Sequence, residues 1–276
     1  MQTTVVGNYP KIPNRPRPAR LRVAINKRDR GEITNEELAR IKDEVTVEVI
    51  QEQIDAGVDI VTDGQVRWDD DQTYIAKTLK GIEIGSLERY MDTNTYYRQP
   101  EVTGPVNWQA PALVSDFQFA RENSSKPVKT IITGPYTLAA LSLDKHYNSR
   151  EKLVMALAEA LRNEVQALAA AGAAYIQVND PAILQNKDDM RIAAKALTLM
   201  LDGISAETGV YTWFSDAAGI LPALLDTPDD VIGLDFVAGA GNWEALKSVR
   251  FDKKLGFGIV DGRNTRLDPQ ERVAEA

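Results

Sequence analysis

The amino-acid sequence predicts an α/β fold, namely a (β/α)8 TIM-type barrel that forms a single domain over residues 1–276. Segments with helical periodicity alternate with short apolar segments, which is typical of a parallel sheet whose strands are joined by helices. The length of 276 residues is close to the roughly 250 residues of such a barrel. The sequence contains no GxGxxG or P-loop motif, either of which would favour an open doubly wound sheet.

The repeating unit is a helix, a glycine and a short apolar strand that ends in polar residues. In the first copy, Thr34 and Glu37 fit the capping box that begins a helix, and Gly57 fits the residue that ends it. The strand 58–62 follows. Two further copies cover 149–178 and 192–214, with glycines at 172 and 209 and strands over 175–178 and 210–214.

The remaining predicted strands are 3–6, 128–132, 232–236 and 255–260, which makes seven core strands. Short extended pieces around 81–85 and 101–106 indicate a hairpin insertion near 82–108. A helix signal at Asp268 leads to the end of the chain at Ala276, so an eighth strand is missing. Either the chain is truncated at its C-terminus by roughly 40 residues, judged from ordinary β/α units, or the insertion supplies the closing strand. We favour truncation.

Composition excludes several classes of site and partner. The sequence has no cysteine, which excludes a disulfide framework, a thiolate nucleophile and zinc sites with sulfur ligands. No signal-peptide pattern and no apolar segment of about 20 residues is present, so we expect a cytoplasmic protein that does not enter a membrane. The net charge of −8 argues against a nucleic-acid partner.

One basic segment stands out within this acidic chain. Residues 11–30 contain a single acidic side chain, Asp29, and eight basic ones: Lys11, Arg15, Arg17, Arg20, Arg22, Lys27, Arg28 and Arg30. The segment follows the first predicted strand, and in a β/α barrel the strand ends form the functional face. The sequence therefore predicts a site for a small anionic substrate, bound by charge-assisted hydrogen bonds.

Polar side chains follow the other predicted strands as well. Some of these positions are helix caps in many proteins, and we expect that of Asp216 and Asp261. Three consecutive acids, Asp69 to Asp71, are poorly spaced for one cation, and the single histidine, His146, fits a surface or capping role. We therefore predict no metal site. The polar residues at the strand ends are Asn8, Asp63, Gln65, Thr133, Asn179, Asp180, Ser215, Asp216, Asp235, Asp261, Arg263 and Asn264.

Seven segments at these strand ends resemble the cobalamin-independent methionine synthase family. In family order they are TTVVGNYPK, GVDIVTDGQVRWDD, MDTNTYYRQPEV, ITGPYTL, YIQVNDPAI, IGLDFV and GIVDGRNTRL. The resemblance covers almost the whole chain. Full-length members of the family have two similar barrels, of which the C-terminal one binds zinc and homocysteine. The N-terminal barrel lacks zinc and helps to hold the polyglutamate tail of methyltetrahydrofolate.

The chain is more similar to the N-terminal, zinc-free barrel. RGEITNEEL, DTNTYY and VDGRNTRL fit that half, and the resemblance implies that basic residues at Arg22 and Arg89 contact the folate tail. Asp180 and Asp235 are the candidate catalytic residues. The substrate-binding residues implied by the resemblance and by the strand ends are Asn8, Arg20, Arg22, Gln65, Trp68, Arg89, Asn94, Asn179, Asp180, Arg263 and Asn264.

The departures from the zinc barrel bear on catalysis. Trp213 and Ser215 stand where that barrel has its histidine and first cysteine, and Asp235 stands where it has the ligand glutamate. The last cysteine ligand would lie beyond Ala276. Gln65 and Asn179 replace carboxylates that hold the amino-acid substrate, and a neutral amide cannot pair with an ammonium as a carboxylate can.

The resemblance therefore implies a folate-tail-binding barrel that needs a separate zinc-bearing barrel for methyl transfer from methyltetrahydrofolate to homocysteine. In this interpretation the chain itself holds no cofactor, and zinc is expected only on the partner barrel. The alternatives are a stand-alone methyltransferase with another methyl donor, such as a corrinoid protein, and a binding module without catalysis. A decarboxylase like those that act on uroporphyrinogen ranks last, because only the basic segment supports it.

Overall fold

The fold is an α/β arrangement of parallel strands surrounded by helices, with an antiparallel hairpin between the second and third strand positions. It is a computed structural model that describes residues 1–9, 19–262, 264 and 268–275. The helices are α1 Arg20–Asp29, α2 Asn35–Asp55, α3 Thr73–Ala76, α4 Val114–Glu122, α5 Pro135–Ala140, α6 Arg150–Ala170, α7 Met190–Leu201, α8 Leu221–Leu225, α9 Asn242–Lys247 and α10 Gln270–Glu275. None of the helices in these ranges is both long and apolar enough to cross a bilayer.

Five strands form the continuous part of the parallel sheet, in the order β3-β5-β6-β7-β8. They are β3 Lys129–Thr133, β5 Tyr175–Asn179, β6 Glu207–Tyr211, β7 Val231–Asp235 and β8 Lys254–Gly258. Each strand pairs in parallel with the next, as the alternation of helices and strands in the sequence predicts.

The two N-terminal strand positions are paired less regularly than predicted. Instead of ladders over 3–6 and 58–62, the structure has single parallel bridges, Thr4 to Ile60 and Val61 to Val128. Side chains complete the attachment: Lys129 Nζ donates to the Val5 carbonyl at 2.9 Å and Gln177 Nε2 donates to the Val6 carbonyl at 2.8 Å. The parallel order thus runs from Thr4 to β8. Among the described residues, no ladder joins β8 back to the N-terminal segment.

The long helices begin where their capping residues predict. Thr34 and Glu37 form a complete capping box at the start of α2, and the Ser149 hydroxyl accepts the Lys152 N–H at the start of α6. Their apolar stripes pack on the sheet, so that Leu153, Leu157 and Leu161 are fully buried. The sequence pattern is sufficient for these elements because it is local and strongly periodic.

The third predicted repeat is wrong at its boundary. We expected Gly209 to end a helix before a strand over 210–214, but α7 ends at Leu201 and Gly209 lies inside β6. The left-handed glycine after α7 is Gly203, with φ 75°. Gly209 has a packing role instead, because a Cβ there would lie 3.0 Å from the Tyr211 ring and from Val231 Cβ. A glycine required by close packing was thus interpreted as a helix terminator.

The segment between the second and third strand positions forms an antiparallel hairpin of β1 Lys80–Arg89 and β2 Tyr96–Asn107. The short strand β4 Leu143–Asp144 extends it by pairing in parallel with β2. Tyr90 N donates to the Thr95 carbonyl at 2.8 Å and closes the turn, in which Met91 has φ 50°. This turn is the part of the hairpin that contacts residues at the strand ends.

Candidate functional site

Polar groups gather at the carboxyl ends of the first four strand positions, where a barrel carries its site. Gly7 brings the backbone before Asn8 close to the third strand, since a Cβ there would meet Ile131 Cδ1 at 1.9 Å. Asp71 Oδ1 accepts long hydrogen bonds from Asn8 Nδ2 at 3.5 Å and from Gln65 Nε2 at 3.4 Å. The Thr133 hydroxyl donates to the Asp71 carbonyl and so links this network to β3.

The next strand adds an amide pair. Gln177 Nε2 donates to Asn179 Oδ1 at 2.7 Å and to the Val6 carbonyl, so both side chains lie on the face of β5 that the N-terminal segment covers. Both are buried, with relative exposures of 1% for Gln177 and 6% for Asn179. We call the set Asn8, Gln65, Asp71, Tyr90, Gln177, Asn179, Asp180 and Trp213 the mouth cluster.

Tyr90 joins the hairpin to this cluster. The Trp213 side chain interacts electrostatically with the Tyr90 hydroxyl, and the two residues are far apart in sequence. Burial raises the pKa of Tyr90 well above its usual value, and the nearby carboxylates of Asp71 and Asp180 add to the shift. Tyr90 is therefore a neutral phenol over the strand ends. Tyr90 is not among the predicted site residues, because only its position beside Arg89 and the DTNTYY segment pointed to this turn.

Asp180, a candidate catalytic residue, is completely buried and caps α5. Its Oδ1 accepts the Thr137 N–H at 2.6 Å and its Oδ2 accepts the Tyr136 N–H at 3.4 Å. Burial raises its pKa to about 6, and the hydrogen bonds from Thr137 and Tyr136 oppose this shift. The carboxyl is thus positioned by backbone donors and titrates near neutrality.

Asp235, the other candidate catalytic residue, uses both carboxylate oxygens on backbone N–H groups. Oδ2 accepts from Phe214 N at 3.1 Å, and Oδ1 accepts from Val237 N and Ala238 N, each at 2.9 Å. These bonds hold the loop that carries Trp213 and Ser215 against the end of β7. Asp235 has a structural role here.

The Asp235 position also tests whether the chain fits the zinc of the resembled barrel. Cysteine is absent from all 276 residues, and the only histidine, His146, lies exposed beside Tyr147 before α6. Within the described ranges, no three His, Cys, Asp or Glu side chains are grouped as metal ligands. Since Asp235 is already bonded to three N–H groups, the residues present do not fit zinc.

The predicted arginines lie in different environments. Arg20 forms ion pairs with Glu44 and Glu48 on α2, at 2.9 Å for Glu48, and Arg22 is exposed on α1. Arg89 lies in the hairpin turn, where it donates to the Thr93 carbonyl and to Asn94 Oδ1. Arg89 precedes Tyr90 in sequence, but among the described residues its exposed guanidinium contacts only residues of the turn. Arg263 lies outside the described residues.

Three other predicted site residues are Trp68, Asn94 and Asn264, of which Trp68 donates its backbone N–H to the carbonyl of Gln65 in the mouth cluster at 3.1 Å. Trp68 is 4% exposed and its ring stacks on Tyr74, with centroids 5.1 Å apart, so its visible role is packing. Asn94 is exposed in the hairpin turn, and exposed Asn264 donates its backbone N–H to the Asp261 carbonyl. Of the three consecutive acids, Asp70 accepts the N–H groups of Gln72 and Thr73 and so caps α3, and Asp69 forms an ion pair with Lys77.

Comparison with known proteins identifies the family. The model described as "Cobalamin-independent synthase, Catalytic domain" matches residues 1–276. The methionine synthase of Saccharolobus solfataricus is 34% identical over 99% of this chain and 81% of its own length. The chain belongs to the cobalamin-independent methionine synthase family. Members of this family are methyltransferases of methionine biosynthesis.

Other members and solved structures agree with this assignment. The methionine synthase of Sulfurisphaera tokodaii is 34% identical over 99% of the chain and 79% of its own length. The B12-independent methionine synthase of Shewanella sp. W3-18-1, solved with selenomethionine, superposes with a TM-score of 0.78 at 26% identity, covering 88% of this chain and 77% of that one. A Listeria monocytogenes structure with a TM-score of 0.76 and 18% identity, covering 99% and 84% of the two chains, supports the fold alone.

Proposed function

We propose that this member of the methionine synthase family is a zinc-free barrel that binds the polyglutamate tail of methyltetrahydrofolate and relies on a separate zinc-bearing barrel for methyl transfer to homocysteine. The observation that carries the proposal is the replacement of the zinc ligands. Trp213 and Ser215 supply no metal ligand of the required kind, and the Asp235 carboxylate holds three backbone N–H groups.

The chemistry of methyl transfer explains why this replacement matters. Methyltetrahydrofolate carries its methyl group on a tertiary amine, so the acceptor must be a strong nucleophile. A free thiol has a pKa of about 8.5 and is mostly protonated at neutral pH, whereas metal coordination deprotonates it. The described residues offer no metal site for this purpose. A partner barrel with zinc would provide it.

Arg89 is the best-supported contact for the anionic tail. It lies in the hairpin turn, where its guanidinium donates to the Thr93 carbonyl and to Asn94 Oδ1 and lies 3.9 Å from the exposed Asp92 carboxylate. Arg22 is exposed on α1 and is the second contact that we propose. Arg20 contributes less, because Glu44 and Glu48 already neutralise its charge.

A titration of folate ligands tests the tail site. We expect methyltetrahydrofolate triglutamate to bind the chain more tightly than the monoglutamate. Arg22→Ala should weaken the triglutamate by about 1–3 kcal/mol, the scale of a charged hydrogen bond. Arg250→Ala, at an exposed position before β8 and thus at the opposite end of the strands, is the control and should change nothing. Equal affinities for the two ligands would refute the tail site.

A second candidate function is methyl transfer by this chain alone from a more reactive donor, such as a corrinoid protein. One observation favours it: the family model that matches is described as the catalytic domain, and the archaeal methionine synthases align over about four-fifths of their length. The absent sulfur ligands oppose it. We further propose that the parallel strands belong to an eight-stranded barrel, as the overlap with the Shewanella structure supports, and that the protein works in the cytoplasm.

A further inference from the structure

A small cavity lies between helix α4 and strand β3. Leu113 and Phe117 of the α4 region form much of its apolar wall. Its polar side chains are Thr130 on β3, Asp116 on α4 and Asp63, which follows the second strand position. The cavity offers the centre of a water molecule a volume of about 10 Å³. It is therefore a small site with polar groups from two sides of the same layer.

The hydroxyl of Thr130 is a buried polar group that needs a partner. Thr130 is 8% exposed, and its Oγ1 makes no hydrogen bond to any residue that the structure describes. Other buried threonines donate to backbone carbonyls: Thr46 Oγ1 donates to the Lys42 carbonyl at 2.8 Å, and Thr133 Oγ1 to that of Asp71. A buried hydroxyl without a partner costs free energy, so a polar group is expected beside Thr130.

Asp116, which lines the same cavity, is able to accept a further hydrogen bond. Its Oδ2 accepts the Tyr74 hydroxyl at 2.7 Å, whereas its Oδ1 lies 3.6 Å from Arg67 Nε, which is longer than a normal hydrogen bond. Each carboxylate oxygen has two lone-pair sites, so Oδ1 has capacity for a donor in the cavity. Burial raises the pKa of Asp116, and such a donor would stabilise its charged form.

The size and the charge of the site decide which ligand fits. A volume of about 10 Å³ for the centre of the ligand is near the smallest that holds one water molecule, so organic molecules are too large. The Arg67 guanidinium, which pairs with Asp43 and lies beside Asp116, repels a metal cation. Water is small and neutral, and it can accept from the Thr130 hydroxyl and donate to the Asp116 carboxylate. Buried waters that bond such groups are ordinary parts of globular proteins.

We propose that one buried water molecule binds between α4 and β3, where it accepts a hydrogen bond from the Thr130 hydroxyl and donates one to Asp116 Oδ1. It extends the polar chain of Tyr74, Asp116 and Arg67 to the third strand. Because Arg67 also pairs with Asp43 on α2, the completed chain connects two helices to the sheet. The inference concerns the packing of the helical layer and does not depend on the proposed function.

A high-resolution crystal structure of the protein tests the proposal directly. We expect electron density for one water within hydrogen-bonding distance of both Thr130 Oγ1 and Asp116 Oδ1, and no such density in Thr130→Val. Xenon under pressure distinguishes the alternative, because a dry apolar cavity takes up xenon. Absence of the water in the wild-type protein, its persistence in Thr130→Val, or xenon in the wild-type cavity would each overturn the proposal.

The stability of Thr130→Val gives a second test, because the sign of the change depends on the water. If the hydroxyl binds the water, its removal lowers the midpoint of urea unfolding; if the hydroxyl has no partner, its removal raises the midpoint. Thr103→Val, at an exposed position of β2, is the matched control for the strand preference of valine. We expect a lower midpoint for Thr130→Val than for Thr103→Val. An equal or higher midpoint contradicts the assignment.

Discussion

The interior of the α/β fold and its outer helical layer shift the ionisation of side chains in opposite ways. Inside, burial lowers the pKa of Lys129 to about 7 and raises that of Asp180 to about 6, so both groups are shifted towards their neutral forms. On the outer layer, Glu151 pairs with Lys195, and this hydrogen bond lowers the pKa of Glu151. Arg20 forms ion pairs with Glu44 and Glu48 on the same layer.

This difference separates two kinds of environment in one molecule. The interior disfavours charge, because burial penalises the charged form of an ionisable group. Charges persist where water solvates them, and Arg89 in the hairpin turn is such an exposed group. We expect the anionic tail of the proposed ligand to bind there.

The largest expected effect concerns Lys129 and the pH dependence of stability. The pKa of Lys129 is lower in the folded protein than in the unfolded chain. Between about pH 7 and 9.5 the unfolded chain therefore binds more protons than the folded one, and stability rises with pH. One proton corresponds to a slope of up to about 1.4 kcal/mol per pH unit. Lys129→Met should remove this slope from urea-unfolding free energies.

Lys254→Met is the matched control for that measurement. Lys254 is exposed and pairs with Glu207 at 2.6 Å, which raises its pKa, so its loss should not flatten the slope between pH 7 and 9.5. The measurement stops at pH 9.5 because Tyr211, whose ring lies under Lys129 Nζ, has a raised pKa. Above the usual pKa of tyrosine, Tyr211 therefore makes stability fall as pH rises. The same slope in Lys129→Met and wild type would show that Lys129 is not desolvated.

Asp180 should give the opposite sign at lower pH. Its folded-state pKa is raised, so between about pH 4 and 6 the folded chain binds more protons and stability falls as pH rises. Asp180→Asn should abolish this decline. It should also lower the free energy of unfolding by about 1–3 kcal/mol, because the amide NH2 group that replaces one carboxylate oxygen would face a backbone N–H of α5 and could not accept from it. Asp216→Asn, whose carboxyl pairs with Lys187 and has a lowered pKa, should keep the decline. An unaltered pH profile in Asp180→Asn contradicts this account.

A smaller effect is expected from Arg89→Ala. The substitution removes the exposed guanidinium of the hairpin turn, and the triglutamate of methyltetrahydrofolate should bind about tenfold more weakly, as expected for one charged hydrogen bond. Calorimetric titration at low salt measures it, with Arg250→Ala as control. A loss that is equal for the monoglutamate would place Arg89 near the head of the ligand instead of the tail.

The smallest effect is expected from Arg20→Ala. Exposed ion pairs contribute about 0–1 kcal/mol, so the free energy of unfolding should fall by less than about 1 kcal/mol. The affinity for the triglutamate should stay within about twofold, because the charge of Arg20 is already balanced by Glu44 and Glu48. If Arg20→Ala weakens the triglutamate as much as Arg89→Ala does, the proposed difference between the two regions is wrong.

The sequence predicted the features that depend on neighbouring residues. The capping box at Thr34, the cap at Ser149 and the amides Gln65 and Asn179 at strand ends are all local patterns, and the structure has them. The contacts that define the mouth cluster are long-range: Tyr90 meets Trp213, and Gln177 meets Val6. Periodicity contains no information on such side-chain pairs.

The basic segment shows the same limit. Its proximity to the first strand predicted convergence of arginines, but proximity does not reveal that Glu44 and Glu48, one turn apart on α2, pair with Arg20. Gly209 was misread for a related reason, since a glycine selected for space beside Tyr211 looks like a helix terminator in sequence.

The most direct measurement is methyl transfer from methyltetrahydrofolate triglutamate to homocysteine, with zinc supplied, by the chain alone and then with a separately expressed zinc-bearing barrel of the family. The account predicts no methionine and no stoichiometric zinc with the chain alone, and methionine formation that exceeds that of the zinc barrel alone once both are present. Turnover by the chain alone, together with one bound zinc per chain, would contradict it.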